Sequence, residues 1–244
     1  MVEQRVALVT GANKGIGFAI ARGLLAQGVA VVYLGARDAA RGASAAAALA
    51  GAGSGARFVQ LDVTDPVSIA AAADRIERAE GVLDILVNNA GIVGPVHPPS
   101  QTSVRDVRET YETNVFGVVA VTNGLLPLLR RSPAGRIVNL TSDLGSLATA
   151  AGDPDFPQLL AYNSSKAALN AVTITYANEL RAQQILVNAV SPGSVATDQN
   201  GHRGVLTPDQ GATLPIRMAT LPADGPTGIA VTADTDLTPH PLPW

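Results

Sequence analysis

Cysteine is absent from this chain of 244 residues, and its three histidines, His97, His202 and His240, stand far apart. Without cysteine there can be no disulfide, no thiol catalysis and no cysteine ligand to a metal. None of the histidines belongs to an HExxH motif or to a comparable ligand spacing. We therefore expect no metal site.

An excess of charge of one sign is also missing, since 17 Lys and Arg residues are interspersed with 20 Asp and Glu residues, for a formal net charge of -3. Proteins that bind nucleic acids or membrane surfaces usually carry a basic patch or run. No uninterrupted apolar run reaches the roughly 18 residues of a membrane span, and Met1–Arg5 shows no secretory leader. These observations predict a soluble, cytoplasmic protein that binds a small molecule.

Short runs rich in Val, Ile and Leu are what the chain does contain, and the segments between them are long enough for helices. Continuous apolar strands that alternate with helices are typical of a parallel sheet covered on both faces. The sequence therefore predicts a doubly wound, Rossmann-type α/β fold with about seven strands, as a single domain over residues 1–244. The strand runs lie at 5–10, 29–35, 57–63, 83–88, 136–141 and 185–191, with a last strand near 228–231.

Helices are predicted from capping signals, periodicity and alanine content. Asp65 followed by Pro66 is typical of a helix start. The alanine-rich segment 39–50 stands where a crossover helix is required, and alanine is the best helix former. The remaining helices are predicted at 103–130, 158–181 and 208–219, and the proline-rich tail after them carries no clear pattern.

A glycine-rich turn follows the first predicted strand. Glycines there permit a tight turn between strand and helix, and they let backbone N–H groups and the helix N-terminus approach a pyrophosphate. The position of the turn, at the first strand-helix junction, favours dinucleotide binding over a purely structural role. The candidate cofactor-binding residues of the turn are Gly11, Asn13, Lys14, Gly15, Ile16 and Gly17.

Arg37, at the end of the second predicted strand, indicates which dinucleotide is bound. Folds that prefer NAD usually place a carboxylate about 20 residues after the glycines, where it binds the ribose 2′-hydroxyl. A guanidinium is suited instead to the 2′-phosphate of NADP(H), and Lys14 could add a second positive charge. Two alternatives stay open: Arg37 and Lys14 are solvated surface cations, or Asp38 neutralises Arg37.

Tyr162 and Lys166 are four residues apart in a predicted helix, so their side chains share a face. One unit charge at about 4 Å from a phenol, at an effective dielectric near 20, supplies about 4 kcal/mol, enough to lower the phenol pKa by roughly three units. We therefore expect Lys166 to lower the pKa of Tyr162 and to make it a general acid or base at neutral pH.

The order of motifs along nearly the whole chain resembles the short-chain dehydrogenase/reductase family, and within it the carbonyl reductases. The motifs are Thr10–Gly17, Asn88-Asn89-Ala90-Gly91, Asn114, Ser142, Tyr162-x-x-x-Lys166 and Pro192-Gly193, with Ala36-Arg37-Asp38 and the terminal Trp244 pointing to carbonyl reductases. The resemblance implies NADPH-dependent reduction of a ketone, aldehyde or quinone by hydride transfer.

The resemblance also implies roles for individual residues. Tyr162 would protonate the product, Ser142 would hydrogen-bond the carbonyl oxygen, Lys166 would hold the nicotinamide ribose, and Asn114 would position a water in a proton relay. The remaining cofactor contacts it implies are Asp62 and Val63 at the adenine, Asn89 and Ala90 on the adenosine side, and Val195 and Thr197 at the nicotinamide carboxamide.

Several points stay open from the sequence. The same groups would catalyse alcohol oxidation, and a catalytically silent dinucleotide-binding regulator could keep the fold. The pocket is expected from 92–96, 144–157 and 194–206, which are mostly apolar, so a neutral hydrophobic carbonyl compound is favoured. The interval from Ser142 to Tyr162 is longer than in common family members and could cover a dimerisation surface, so monomer, homodimer and homotetramer all remain open.

Overall fold

The structure, a computed structural model, describes residues 4–51 and 55–244, so part of the segment on which the leader expectation rests, residues 1–3, lies outside it. Eight strands occur in the described residues: β1 Val6–Thr10, β2 Val31–Ala36, β3 Ala56–Gln60, β4 Ile85–Asn88, β5 Arg136–Leu140, β6 Leu186–Val190, β7 Ala230–Ala233 and β8 Pro239–Pro241. The first seven correspond to the predicted strands.

All eight strands belong to one sheet in the order β3-β2-β1-β4-β5-β6-β7-β8. Neighbours from β3 to β7 pair in parallel, with Val9 opposite Leu34 on one side of β1 and opposite Val87 on the other. Only β8 among these strands runs antiparallel, against β7. The predicted doubly wound α/β fold is confirmed.

The helices connect these strands across the two faces of the sheet. Their bounds are α1 Gly15–Ala26, α2 Ala39–Leu49, α3 Pro66–Glu80, α4 Val104–Tyr111, α5 Gly117–Leu129, α6 Leu147–Gly152, α7 Leu160–Leu180 and α8 Pro208–Ala219. Caps set several starts, since the side chain of Asp65 accepts from Val67 N at 3.0 Å and Thr207 accepts from Gln210 N at 3.2 Å.

Two apolar layers enclose the sheet, one on each face. Helices α1, α2 and α8 pack on one side, where Ile20, Leu24 and Met218 meet strand residues such as Val9 and Val87. On the other side, α3, α5 and α7 pack against residues such as Leu8, Leu86, Ile137 and Val187. Consecutive strand residues therefore point into different layers, as expected for a sheet buried on both faces.

The predicted helix 103–130 differs from the structure in one internal feature. The chain stays helical from Val104 to Leu129, but Glu112–Phe116 forms a π-helical segment between α4 and α5. Such segments insert an extra residue into the helical turn and are common at functional sites. This helical run is long and apolar enough to cross a membrane by composition, yet 56% of its most apolar window is buried inside the fold, as in a core helix.

The reversal in strand order positions the functional site. The chain proceeds outward from β1 to β3, then returns to place β4 on the other side of β1. The connections that follow β1 and β4 therefore leave in opposite directions and open a crevice at the carboxyl ends of the strands. Ligands of doubly wound sheets bind in such crevices.

Candidate active site

A cleft of about 1000 Å³ lies at the carboxyl edge of the sheet. Segments that follow all of the first six strands reach it, including residues far apart in sequence. Of the predicted site residues, those that line it are Gly11, Asn13, Lys14, Gly15, Ile16, Gly17, Arg37, Asp62, Val63, Asn89, Ala90, Tyr162, Lys166 and Thr197. The structure thus brings into one cavity most of the residues selected from the sequence.

The glycine turn requires glycine at specific positions. Gly11 and Gly15 have φ of +65° and +57°, a region that other residues rarely adopt. A Cβ at Gly17 would lie 2.5 Å from Asn89 Nδ2 and 2.7 Å from Gly11 O, whereas a Cβ at Gly15 would meet only Thr197, at 3.7 Å. The turn is therefore tightly packed behind Gly17 and open above Gly15, which suits the approach of a pyrophosphate.

Arg37 is exposed at the end of β2, and Asp38 does not neutralise it. The Asp38 side chain caps α2 by accepting from Arg41 N at 2.9 Å, and it forms an ion pair with Arg41 at 3.1 Å. Burial disfavours the Asp62 carboxylate, but hydrogen bonds from Thr64 and the charge of Arg37 outweigh it and hold the Asp62 pKa below its usual value. Arg37 and Asp62 both line the cleft.

Asn89 and Ala90 join β4 to β1 at the strand-order reversal. Both backbone N–H groups donate to Thr10 Oγ1, at 3.0 and 2.9 Å, and Asn89 Nδ2 donates to Thr10 O at 2.8 Å. These bonds fix the floor of the cleft beside the glycine turn. Thr10 accepts all three of these hydrogen bonds, although the sequence marks it only as part of the glycine motif.

Tyr162 and Lys166 lie in the first two turns of α7 and share a face, as predicted. Lys166 Nζ is 5.6 Å from the centroid of the Tyr162 ring. The Lys166 side chain is buried, and Nζ donates to Leu140 O, at the end of β5, at 2.7 Å. The ammonium is thus held at the floor of the cleft beneath the phenol.

The expected lowering of the Tyr162 pKa is not found. Burial raises the pKa of Tyr162, hydrogen bonding to Ser142 opposes that effect, and the charge of Asp143 adds to it. Burial also lowers the pKa of Lys166 to about 8. Folding removes the hydration of both groups, and this loss outweighs the attraction between them on which the expectation from the sequence was based.

Ser142 and Asn114 lie at the edge of this arrangement rather than in the cleft lining. Ser142 Oγ accepts from Leu144 N at 3.2 Å, which leaves its hydrogen free to point elsewhere. Asn114, in the π-helical segment and 1% exposed, exchanges hydrogen bonds with the Ile92 backbone at 2.8 and 2.9 Å and donates to Ser165 Oγ at 3.0 Å. The hydrogen bond between Ser142 and Tyr162 places Ser142 beside the phenol. The bond to Ser165 places Asn114 beside the turn of α7 that holds Lys166.

The loop after β6 forms the other wall, but Val195 faces away from the cleft. A Cβ at Gly211 of α8 would lie 2.3 Å from Val195 Cγ2, so the valine side chain packs on α8. The wall also supplies Asp198, which forms an ion pair with Lys14, and Gln199, whose Nε2 donates to Gly91 O at 2.6 Å. Asp198 and Gln199 were not selected individually from the sequence, because no local pattern marks contacts made across the whole fold.

Two of the three expected pocket segments reach the cleft: the first through Ile92, and the third through 196–199, His202 and 204–206. Residues 144–157 do not line it. They form a 3-10 turn at Asp143–Gly145 and then α6, where Ala148 N donates to Trp244 O at 3.0 Å. This segment is therefore tied to the C-terminus.

Comparison with known proteins agrees with this geometry. The family model for short chain dehydrogenase matches residues 5–204. The chain is 36% identical to carbonyl reductase (NADPH) 1 from Sus scrofa, with 98% of this chain and 97% of that one covered. These comparisons rest on sequence alone and extend well beyond the site residues.

Solved structures give the same result. Salutaridine reductase from Papaver somniferum superposes with a TM-score of 0.82 at 33% identity, covering 93% of this chain and 99% of that one. NADPH-bound carbonyl reductase from chicken fatty liver superposes with a TM-score of 0.83 at 31% identity, covering 93% and 96%. The chain belongs to the short-chain dehydrogenase/reductase family.

Proposed function

We propose that this protein reduces the carbonyl group of a small molecule to an alcohol, with NADPH as the hydride donor and Tyr162 as the proton donor. It is an NADP(H)-dependent oxidoreductase that acts on C=O and CH–OH groups. One observation carries the proposal: a single cleft has the glycine turn and Arg37 at one end and Tyr162 with Lys166 at the other. This is the arrangement a dinucleotide and a carbonyl compound would need to meet.

The residues present fit NADP(H). The open space above Gly15 admits the pyrophosphate, and Arg37, free of Asp38, is available to the 2′-phosphate. Asp62 and Val63 would contact the adenine, Asn89 and Ala90 the adenosine side, and Thr197 the carboxamide; Val195 could contribute only through its backbone. When bound, NADPH supplies the hydride that the carbonyl carbon accepts.

The proton comes from the protein. Because the Tyr162 pKa is raised, the side chain is a neutral phenol at neutral pH, and that form can donate to the carbonyl oxygen. The Ser142 hydroxyl would donate a second hydrogen bond to the same oxygen. The Lys166 ammonium would stabilise the resulting tyrosinate, and Asn114 would hold a water through which the phenol regains its proton.

The protonation state of Tyr162 bears on the direction of reaction. Alcohol oxidation requires Tyr162 as a base, hence as the phenolate, and a raised pKa makes that form scarce at neutral pH. The form of Tyr162 that predominates at neutral pH is therefore the one that reduction requires. A silent dinucleotide-binding regulator would have no use for a buried lysine fixed beneath a phenol, since burying an ammonium lowers stability.

We also propose that residues 1–244 form a single domain, that the protein acts on small carbonyl compounds, and that it is located in the cytoplasm. One sheet containing every strand of residues 4–51 and 55–244 supports the first. The apolar residues Ile92, Val205 and Leu206 of the cleft favour a hydrophobic substrate body.

Replacing Tyr162 by Phe tests the proposal. NADPH oxidation, followed by absorbance over a panel of ketones, aldehydes and quinones, should fall by at least about 10²-fold in Tyr162→Phe, while NADPH still binds. Tyr176→Phe is the matched control, since it removes a hydroxyl on the same helix that contacts Asn123 outside the cleft. Substantial activity in Tyr162→Phe would refute the assigned acid.

A further inference from the structure

Residues 196–206, which follow β6, form a strap that reaches from one wall of the cleft to the other. Two backbone hydrogen bonds close the base of the strap, from Ala196 N to Leu206 O at 2.8 Å and from Leu206 N to Ser194 O at 3.0 Å. Val195, which precedes the strap, and Leu206, its last residue, are both buried. The two ends of the strap are therefore anchored in the fold.

The tip of the strap is stiff but is not packed into the core. It is the 3-10 turn Asp198–Asn200, in which Asn200 Nδ2 donates to Val195 O at 2.9 Å and Thr197 N donates to Asn200 Oδ1 at 3.2 Å. None of residues 197–205 is buried. Segments with few buried contacts open locally at a low cost in free energy. Because its internal bonds run only within the strap and to its base, the tip can lift as a unit.

Two neighbouring residues of the tip fasten it to the opposite wall of the cleft. Asp198 forms an ion pair with Lys14 of the glycine turn, and Gln199 Nε2 donates to Gly91 O, after β4, at 2.6 Å. The 2′-phosphate of NADPH can draw Lys14 away from Asp198, whereas the second contact involves neither Lys14 nor Arg37. The contact between Gln199 and Gly91 can therefore persist when the cofactor is bound.

The cleft remains large with the strap in this closed position. Its volume of about 1000 Å³ is at the upper end of the range for pockets that enclose a whole ligand. Gly91 lies beside Lys166, since a Cβ at Gly91 would be 3.6 Å from Lys166 Nζ. A dinucleotide that extends from Arg37 to Lys166 would therefore pass beneath the strap, and the strap would have to open before the dinucleotide could enter or leave.

We propose that Gln199 is a positioning residue that latches the strap: its hydrogen bond to Gly91 O holds the strap closed both before and after NADPH binds, so that opening of the strap limits cofactor exchange. The inference goes beyond the proposed function, because it concerns how fast the cofactor enters and leaves and not which compound is reduced. A latch that is present in both states changes the two rates by the same factor and leaves the affinity unchanged.

Stopped-flow fluorescence of NADPH binding tests this proposal. In the wild type, the observed binding rate should level off as the NADPH concentration is raised, because the closed strap must first open. In Gln199→Met, which keeps the length of the side chain but removes the donor, this plateau should rise about 2- to 10-fold, the range for loss of one hydrogen bond. The dissociation rate of NADPH, measured by displacement with excess NADP⁺, should rise by the same factor, so the dissociation constant should stay within about twofold of the wild-type value.

Gln101→Met is the matched control, since it makes the same change at an exposed glutamine on another loop. It should leave the plateau, the dissociation rate and the dissociation constant as in the wild type. A wild-type binding rate that never levels off, or an equal plateau in wild type and Gln199→Met, would overturn the inference. Faster dissociation with an unaltered plateau would overturn it as well, because that result would identify Gln199 as a direct contact of the cofactor. Since cofactor binding is the readout, none of these outcomes depends on whether a carbonyl compound is reduced.

Discussion

Lys14 of the glycine turn forms an ion pair with Asp198 of the loop after β6, 184 residues later in the chain. The pair crosses the mouth of the cleft, and His202 Nε2 contacts the same carboxylate at 2.8 Å. If the Lys14 ammonium binds the 2′-phosphate of NADPH, the Asp198 carboxylate competes with that phosphate for the ammonium.

Asp198→Asn should therefore tighten NADPH binding and leave NADH binding unchanged. Both side chains of the pair are more than half exposed, at 58% and 55%, so the pair contributes at most about 1 kcal/mol. The dissociation constant for NADPH, followed by its fluorescence, should fall by no more than about fivefold. Asp224→Asn, at an exposed position on another loop, is the charge-matched control, and weaker NADPH binding in Asp198→Asn would contradict the competition.

Arg37→Asp combined with Lys14→Ala should move the cofactor preference toward NADH. The double variant loses the proposed partners of the 2′-phosphate and gains a carboxylate for the ribose hydroxyl. The ratio of kcat/KM for NADPH to that for NADH should fall by on the order of 10²-fold, as expected when charge-assisted hydrogen bonds are lost. Arg105→Ala, 84% exposed on α4, should leave the ratio unaltered, and an unaltered ratio in the double variant would argue against the phosphate site.

Lys166→Met should abolish activity but stabilise the fold at pH 7. The Lys166 pKa falls from 10.5 to about 8 on folding, which corresponds to about 3 kcal/mol of lost stability while the unfolded chain is protonated. Loss of the bond to Leu140 O offsets about 1 kcal/mol, so Tm should rise by about 4–8 °C.

The sign of the pH dependence follows from linkage. A lysine with a lowered folded-state pKa destabilises the protein below about pH 8, and that loss is recovered as pH rises toward 10.5. The Tm advantage of Lys166→Met should therefore shrink between pH 7 and pH 9.5. Lys14→Met, at an exposed site, is the control and should show a small Tm change at both pH values. A Tm of Lys166→Met below that of the wild type would contradict the claim that burial of the ammonium lowers the stability of the fold.

Gly17→Ala should impair both folding and cofactor binding. The new Cβ would collide with Asn89 Nδ2 and Gly11 O. Because Gly11 O is a backbone atom, it cannot move away without opening the turn. We expect a stability loss of about 1–3 kcal/mol by denaturant unfolding and weaker NADPH binding. Gly152→Ala, where a Cβ meets nothing within 4 Å, is the control, and wild-type behaviour of Gly17→Ala would show that the turn adapts.

The strands and most helices were predictable because each depends on local periodicity. The predicted strand 57–63 is instead Ala56–Gln60, and Leu61, Asp62 and Val63 leave the sheet to line the cleft. The π-helical turn that holds Asn114 was not predicted, since an inserted residue changes which side chains face inward without changing composition. The short helix α6 and strand β8 were also missed.

The residues of the site were predictable to the extent that they belong to motifs. Tyr162, Lys166 and the glycine turn form patterns within a few residues, whereas Asp198 meets Lys14 only after the sheet has folded. The contact between Gln199 and Gly91 could not be foreseen at all, because the two residues are 108 positions apart and no local pattern joins them. The error in the direction of the Tyr162 pKa has the same origin, since burial is a property of the fold.

Strand β8 limits how the sheet can grow. Its residues Pro239, His240 and Pro241 are exposed, and the two prolines bring no amide hydrogen to the ladder. A foreign strand that approached this border would find at most one N–H in three residues with which to pair. Natural proteins block polymerisation through open sheet borders in this way, so removal of the last six residues should expose β7 and promote fibre-like self-association.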